Sequence, residues 1–137
     1  MYWVRIDNRL IHGQIIETWL PFTRAKRLVV INDAMAGDPL QQEIMSLAIP
    51  GHVKATFLTL NGLADFLKGL ESAAEKNETL ILFSNCKDAV RAFELGLPVS
   101  TLNVGNLHYG PGKRQLNSHI AVSDDDVSCL RVFQRKD

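Results

Sequence analysis

The chain has 137 residues, of which 46% are apolar and 22% are charged, a balance that is typical of a folded protein and excludes a disordered one. Lysine and arginine together number 15, as do aspartate and glutamate, so the net charge is zero. A chain without net charge has no global field that would attract nucleic acid or an anionic membrane surface, and we expect neither as a partner. Any anion-binding site has to be built locally.

Membrane insertion and disulfide bonding are not expected either. No apolar run approaches the roughly 20 residues that a helix needs to cross a bilayer. Cys86 and Cys129 lack the spacing of a redox or zinc motif, and no signal peptide is recognised at the N-terminus. We therefore expect a cytoplasmic protein with reduced thiols.

In chain order, apolar runs that predict strands alternate with segments of helical periodicity. The predicted strands span 2–7, 27–32, 53–59, 79–83 and 99–104, with a further short strand near 119–122. The predicted helices span 14–20, 40–48, 63–70 and 89–95, and a last helix begins at 123. We expect a turn over 33–39 and a glycine-rich loop over 105–112.

Several residues mark where these helices begin and end. Pro21 should end the first helix, because its ring removes a backbone donor and blocks the preceding turn. Either Ser84 or Asn85 should cap the helix over 89–95, and Gly96 should end it.

This alternation of strand and helix predicts an α/β fold with a doubly wound, mostly parallel sheet, right-handed crossovers and helices on both faces. No repeat, low-complexity tract or linker interrupts the pattern, so we expect residues 1–137 to form a single domain.

The first loop between a strand and a helix is the expected position of the functional site, since ligands of open α/β sheets bind at the carboxyl ends of the strands. In this loop His12 offers a nitrogen nucleophile that is largely neutral near pH 7. Arg9 offers a planar set of donors for phosphate oxygens. Gly13 and Gln14 offer free backbone N–H groups at the positive end of a helix.

The carboxylate of Asp7, at the start of the same loop, would either orient Arg9 or fix the tautomer of the imidazole. Asn8 and Arg5 are further candidates for binding phosphate. Taken singly, each of these residues also has a simpler interpretation, such as a surface histidine, a solvated arginine or a turn aspartate. Together they favour a site that holds a phosphoryl group on the imidazole of His12.

Three segments resemble a known family. The run from Val4 to Ile15 (VRIDNRLIHGQI) resembles the phosphorylation loop of the IIB component of the mannose/fructose/sorbose family of the bacterial sugar phosphotransferase system. The run from Val29 to Asp33 resembles the second strand of that family, and Asn103 to His108 resembles its Asn-Val-Gly-Gly loop. The similarity extends from about residue 2 to residue 130.

The resemblance implies a phosphohistidine relay, catalysed by a protein-N(π)-phosphohistidine–sugar phosphotransferase. In this family the loop histidine takes phosphate from a phosphorylated IIA protein or domain and passes it to a sugar bound by the IIC and IID membrane subunits. On this chain the phosphorylated residue would be His12, attacking through Nδ1, with Asp7, Arg9, Gly13 and Gln14 around it. No metal or other cofactor is expected, because the incoming phosphoryl group is already activated as a phosphoramidate.

The chain also departs from the family pattern. It has Gln41-Gln42 where a basic pair is common and Asn106 in place of the second glycine of the Asn-Val-Gly-Gly loop, and it ends at Asp137, before a further strand. These differences keep two alternatives open: a phosphorylation-dependent regulator that binds a protein partner without moving sugar, and a small-molecule-binding domain without covalent chemistry.

Four further residues are candidates for supporting the groups around His12: Asn32, Asp33, His108 and Lys113. The four histidines show no metal-ligand spacing, so we predict no metal site. Monomer and weak homodimer both remain open, and so does the sugar, because in this family the membrane subunits select it.

Overall fold

The computed structural model describes residues 2–13, 15–69, 78–99, 102–105, 114–115 and 121–122. Its centre is a five-stranded parallel sheet made of β1 (Trp3–Ile6), β2 (Arg27–Ile31), β3 (Lys54–Leu58), β4 (Thr79–Phe83) and β5 (Leu102–Val104). A separate antiparallel ladder pairs β6 (Arg114–Gln115) with β7 (Ala121–Val122). The five strands of the main sheet are as predicted, whereas β6 was not predicted from the sequence.

The order of the strands in the sheet is β3-β2-β4-β1-β5. Ile6, the last residue of β1, is in register with Phe83 of β4 on one side and with Val104 of β5 on the other. All these pairings are parallel, so the carboxyl ends of β1, β4 and β5 meet at one edge of the sheet. The residues that follow these strands are therefore close in space.

The helical segments are a π-helix (Ile15–Trp19), α1 (Leu20–Thr23), α2 (Asp33–Ala36), α3 (Pro39–Ser46), a 3₁₀ helix (Leu60–Gly62), α4 (Leu63–Lys68) and α5 (Cys86–Glu94). Residues 106–112 of the predicted glycine-rich loop, residue 70 and the predicted helix from 123 lie outside the described residues.

Two predictions about the first half of the chain were wrong. Pro21 does not end a helix; it is the second residue of α1, and the first turn of a helix tolerates proline. The segment 33–39 is not a simple turn, because the Asn32 side chain accepts a hydrogen bond from the Met35 backbone N–H at 3.0 Å and so starts α2.

The predicted ends of α5 are observed. Of the two possible caps, Asn85 is used: its side-chain oxygen accepts the Asp88 backbone N–H at 2.8 Å. Gly96 ends the helix with a φ of +111°, a conformation that glycine adopts without a steric penalty. The backbone N–H of Leu97 then donates to the carbonyl of Ala92 at 3.0 Å.

Apolar layers cover both faces of the sheet, as the doubly wound α/β fold requires. On one face Val29, Ile31, Ile81 and Phe83 are buried together with residues of α4 and α5. On the other face the alternate residues of the same strands pack against the π-helix, α1 and the region of α2 and α3. Side chains alternate between faces along a strand, so Arg5 and Asp7 lie on the face opposite to Val4 and Ile6.

Candidate functional site

The loop after β1 begins at Asp7, at the carboxyl edge of the sheet. The Asp7 backbone N–H donates to the carbonyl of Phe83 at 2.8 Å, and its own carbonyl accepts the Leu10 N–H at 2.9 Å, which closes a turn. Leu10 has a φ of +55°, a strained value for a residue with a bulky side chain, and such strain is concentrated at functional sites. Leu10 and Ile11 are buried in an apolar layer, so the loop is anchored just before His12.

A fully buried carboxylate, that of Asp7, holds the imidazole of His12. Asp7 Oδ2 lies 2.9 Å from His12 Nε2, and the histidine side chain is only 12% exposed. The other oxygen, Oδ1, accepts the backbone N–H of Arg9 at 3.1 Å. Since a carboxylate only accepts hydrogen bonds, Nε2 carries the proton in a neutral imidazole, and the lone pair lies on Nδ1.

Arg5 provides the positive charge that balances Asp7. Its Nη2 is 3.5 Å from Asp7 Oδ2, and its Nη1 donates to Asn103 Oδ1 at 3.4 Å. The guanidinium carbon lies 4.5 Å from the centroid of the Trp19 ring, in a cation–π arrangement. Burial lowers the pKa of Arg5, and the neighbouring Asp7 carboxylate opposes this shift. The guanidinium nevertheless remains charged, as arginine does throughout the physiological range.

Gly105, which follows β5, leaves the space that this ion pair occupies. Its backbone N–H donates to the carbonyl of Ile6 at 2.6 Å, which draws the chain against β1. A Cβ at this position would lie 2.7 Å from Arg5 Cζ and 2.7 Å from Asp7 Oδ2. A larger residue therefore does not fit here while the ion pair keeps its geometry.

The structure thus brings together three of the residues selected from the sequence: Arg5, Asp7 and His12. Arg9 is exposed, and it reaches Asp7 through its backbone rather than through its guanidinium. This corrects one of the two roles suggested for Asp7, because the carboxylate orients the Arg9 main chain and not the Arg9 side chain. The reason is that the turn after β1 points the Arg9 N–H back toward the strand end.

The remaining candidates are spread around this centre. Gly13 is exposed beside His12. Asn8 is half-buried, and its side-chain oxygen has no hydrogen-bond partner within the part of the chain that is described. Gln14, His108 and Lys113 lie outside the described residues.

Asn32 and Asp33 make their hydrogen bonds away from His12. Besides capping α2, the Asn32 amide donates to Ser84 Oγ at 2.9 Å, and Asp33 Oδ1 accepts the backbone N–H of Leu60 at 2.9 Å. These contacts join the ends of β2, β3 and β4. They serve the structure of that edge.

Sequence reasoning missed three residues of the centre: Trp19, Asn103 and Gly105. Trp19 was placed in a helix only as part of an apolar repeat. Asn103 and Gly105 belong to a segment whose resemblance to the family was noted, but their position beside Arg5 depends on β5 pairing with β1, which no local pattern shows.

A cavity of about 420 Å³ opens beside His12. The residues that line it come from the loop, the π-helix and α3: Ile11, His12, Gly13, Ile16, Glu17, Gln41, Ile44, Met45 and Ala48. Although residues 40–48 have the periodicity of a helix with one apolar face, α3 exposes Leu40 at 65% and Ile44 at 50%, and Leu47 just after it is 82% exposed. This apolar surface therefore adjoins the cavity that His12 borders.

Within the described residues, no group of three or more histidine, cysteine, aspartate or glutamate side chains is arranged to hold a metal ion. In the same part of the chain, no helix has the length and apolar character needed to span a bilayer.

The fold and site define an α/β protein with a parallel five-stranded sheet and with an imidazole held by a buried carboxylate at the carboxyl edge of that sheet. The family model described as the PTS system sorbose subfamily IIB component matches residues 1–137. The chain therefore belongs to the sorbose subfamily of IIB components of the phosphotransferase system (PTS), which confirms the resemblance noted in its sequence.

Individual relatives agree with this assignment. The N-acetylgalactosamine-specific phosphotransferase enzyme IIB component 2 of Escherichia coli K12 is 35% identical over 126 residues, which are 92% of this chain and 78% of that protein. The mannose-specific EIIAB component of the same strain is 29% identical over 132 residues, which are 96% of this chain and 40% of that protein.

The fold is similar to that of a solved member as well. The crystal structure of a PTS-dependent N-acetylgalactosamine IIB component from Streptococcus pyogenes superposes with a TM-score of 0.89 and 28% identity, covering 98% of this chain and 80% of that one. IIB components are phosphotransferase subunits, and the family assignment implies a part in phosphoryl transfer during sugar uptake.

Proposed function

We propose that this chain, acting through residues 1–137 as one IIB domain, accepts a phosphoryl group on Nδ1 of His12 from a phosphorylated IIA protein or domain. It then passes the group to a sugar held by IIC and IID membrane subunits. The observation that carries the proposal is the 2.9 Å contact between His12 Nε2 and the buried Asp7 carboxylate. This contact puts the proton on Nε2 and the nucleophilic lone pair on Nδ1.

The transfer step follows from this arrangement. The Nδ1 lone pair forms a bond to phosphorus as the bond between phosphorus and the donor imidazole breaks, and that electron pair stays on the donor nitrogen. Positive charge develops on the His12 ring in this step, and the Asp7 carboxylate beside Nε2 stabilises it. In-line transfer of this kind requires positioning and charge stabilisation above all.

Arg5 and the exposed loop complete the site. Because Arg5 already neutralises Asp7, the carboxylate adds little net repulsion against an incoming phosphoryl group. The exposed Arg9 guanidinium and the Gly13 backbone lie on the open side of the loop, and we assign to them the binding of the phosphoryl oxygens.

Two observations support a IIA donor. The mannose-specific EIIAB relative carries, by its name, IIA and IIB parts in one chain. In addition, the cavity beside His12 continues into the exposed apolar side chains of Leu40, Ile44 and Leu47, a surface that a protein donor would cover when it brings its phosphohistidine to His12.

The Gln41-Gln42 pair, which stands where a basic pair is common in the family, affects the surface on which a phosphate donor would dock. The Gln42 amide donates to the carbonyls of Met35 and Ala36 at 2.7 and 3.1 Å, so it closes the end of α2. Gln41 lines the cavity beside His12 and contributes no charge there. A donor would therefore dock on a largely apolar surface at this point.

A phosphorylation assay tests the proposal. The protein is incubated with phosphoenolpyruvate, the general phosphotransferase proteins and a cognate IIA, and acid-labile phosphate is detected by intact-protein mass spectrometry. We expect one phosphoryl group on the wild type, none on His12→Ala, and wild-type labelling of His52→Ala, whose histidine is exposed before β3. Equal labelling of His12→Ala would refute the proposal.

A chase separates the carrier from the regulator. Membranes that contain IIC and IID are added with sugar to the phosphorylated protein, and we expect the label to move to the sugar. Label that stays on the protein would reject the carrier function and support the regulator.

A further inference from the structure

We propose that Trp19 is a positioning residue for His12 and that it acts through Arg5 and Asp7. This inference rests on the proposed function, because it concerns how His12 is held in the tautomer that accepts phosphate. Trp19 itself does not touch the reacting nitrogen in this scheme.

The contacts of Arg5 show why the ring matters. Two of the polar contacts of its guanidinium, 3.5 Å to Asp7 Oδ2 and 3.4 Å to Asn103 Oδ1, are at the long and weak end of the range for such interactions. A further contact is the face of Trp19, 4.5 Å away. Arg5 is only 4% exposed, and a cation–π contact is stronger when the cation is removed from water. The ring face therefore contributes strongly to the orientation of the guanidinium plane.

The Trp19 ring is itself held in place. It is the last residue of the π-helix, and the Phe22 ring meets it edge-on, with the ring centroids 5.6 Å apart. The Thr23 hydroxyl donates to the Trp19 carbonyl at 2.8 Å and fixes the backbone at the junction with α1. Short π-helical segments are frequent at functional sites, where they change the direction of side chains.

The link to His12 is a shared oxygen atom. Asp7 Oδ2 faces both Arg5 Nη2 and His12 Nε2. If the guanidinium tilts, the carboxylate follows it, and the hydrogen bond that selects the Nε2–H tautomer weakens. Trp19 thus acts from a distance, through the side chains of Arg5 and Asp7, and it favours the tautomer whose nucleophilic lone pair is on Nδ1.

The tautomer of His12 can be measured directly from ¹⁵N chemical shifts of the unphosphorylated protein at alkaline pH, where the imidazole is neutral. In Trp19→Leu we expect the ratio of the Nε2–H to the Nδ1–H tautomer to fall by roughly 2- to 30-fold, the range that corresponds to a cation–π contact. The maximal rate of phosphoryl acceptance should fall by a similar factor, with an unchanged KM for the phosphorylated donor. Phe66→Leu, the same kind of aromatic truncation in the apolar layer on the opposite face of the sheet, is the matched control and should keep the wild-type ratio.

A wild-type ratio in Trp19→Leu, or an equal fall in Phe66→Leu, would overturn the inference. Should Trp19→Leu not fold, Trp19 can instead be replaced by fluorinated tryptophan. This keeps the shape of the ring and weakens the negative charge on its face. Trp3→Phe leaves Trp19 as the single tryptophan of the chain, so labelling is specific. Here the tautomer ratio is expected to fall stepwise with each added fluorine, and an unchanged ratio would reject the role of the ring.

These outcomes are distinct from a failure of the proposed function. The tautomer measurement needs no IIA protein and no phosphate. A wild-type protein that is never phosphorylated on His12 would refute the phosphocarrier function, whereas the ratio in Trp19→Leu would still decide whether Trp19 positions the ring.

Discussion

Gly105→Ala should disrupt the site without touching His12 directly. The added Cβ would lie 2.7 Å from both Arg5 Cζ and Asp7 Oδ2, and ordinary van der Waals contact begins at 3.4 Å, so these atoms have to retreat by about 0.7 Å. Gly105 cannot yield instead, because its backbone N–H is bonded to the Ile6 carbonyl within the sheet register. The end of an arginine side chain is usually flexible, but this one is buried between Trp19, Asn103 and Asp7.

The magnitude follows from these contacts. Overpacking of a well-packed interior costs about 1–3 kcal/mol, and complete loss of one partner of a buried ion pair costs about 3–5 kcal/mol. We therefore expect Gly105→Ala to lower the free energy of unfolding by about 2–4 kcal/mol. A displacement of 1 Å at a reacting group costs on the order of 100-fold in rate, so the phosphorylation rate of His12 should fall on the order of 10- to 100-fold.

Urea denaturation followed by tryptophan fluorescence measures the first quantity, and rapid-quench phosphorylation measures the second. Gly51→Ala is the matched control, because a Cβ there meets nothing within 4 Å, and its stability should stay within about 0.5 kcal/mol of the wild type. If Gly105→Ala equals Gly51→Ala in both measurements, the close packing of Gly105 against the ion pair is not what holds the site.

Two further predictions concern the buried carboxyl group of Asp7 and the half-buried one of Asp88. Asp7→Asn removes the negative charge that faces the buried Arg5 guanidinium, so the free energy of unfolding, measured by urea denaturation, should fall by about 3–5 kcal/mol. Phosphorylation of His12 should also be strongly slowed. If Asp7→Asn is as stable as the wild type, the ion pair does not stabilise the fold. Burial raises the pKa of Asp88 above its ordinary value of 3.8, and the nearby charge of Asp33 adds to this shift against an opposing hydrogen bond from Asn85. A raised pKa in the folded state means that the contribution of this group to stability is complete below 3.8 and is lost as the pH rises through the folded-state pKa. As the pH rises from acid to neutral, the free energy of unfolding of Asp88→Asn should therefore increase relative to that of the wild type. A difference between the two free energies that stays constant over this pH range would contradict the assignment.

Much of the fold follows from local sequence patterns. The run from Leu80 to Phe83 is apolar because β4 is buried on both faces, and such a run predicts a central strand well. Gly96 and Asn85 mark the ends of α5 because helix ends impose specific conformations and hydrogen bonds.

Other features of the fold depend on tertiary contacts. Pro21 was misjudged because a proline is compatible with the first turn of a helix as well as with the residue after one, and the sequence does not show where the π-helix gives way to α1. The exposed apolar residues of α3 look like a core face in the sequence, since periodicity alone does not show what covers them.

The candidate site likewise contains residues that the sequence alone brings together and residues that only tertiary contacts bring together. Asp7 and His12 are five residues apart on one loop, so their proximity was within reach of sequence reasoning. Arg5 lies two residues before Asp7 along the strand, which places both side chains on one face. Arg5 was selected from the sequence only as a candidate for binding phosphate, so this signal for its pairing with Asp7 was not used. Asn103 and Gly105 are nearly a hundred residues away from Arg5, and only the pairing of β1 with β5 brings them there.

In the proposed transfer, the buried Asp7 carboxylate leaves Nδ1 of His12 as the atom that receives phosphate. Heteronuclear ³¹P–¹⁵N NMR of the phosphorylated, histidine-labelled protein identifies that atom directly. We predict a single phosphoramidate bond, to Nδ1 of His12, with the proton retained on Nε2. Phosphate on Nε2 of His12, or on any other residue, would contradict the account.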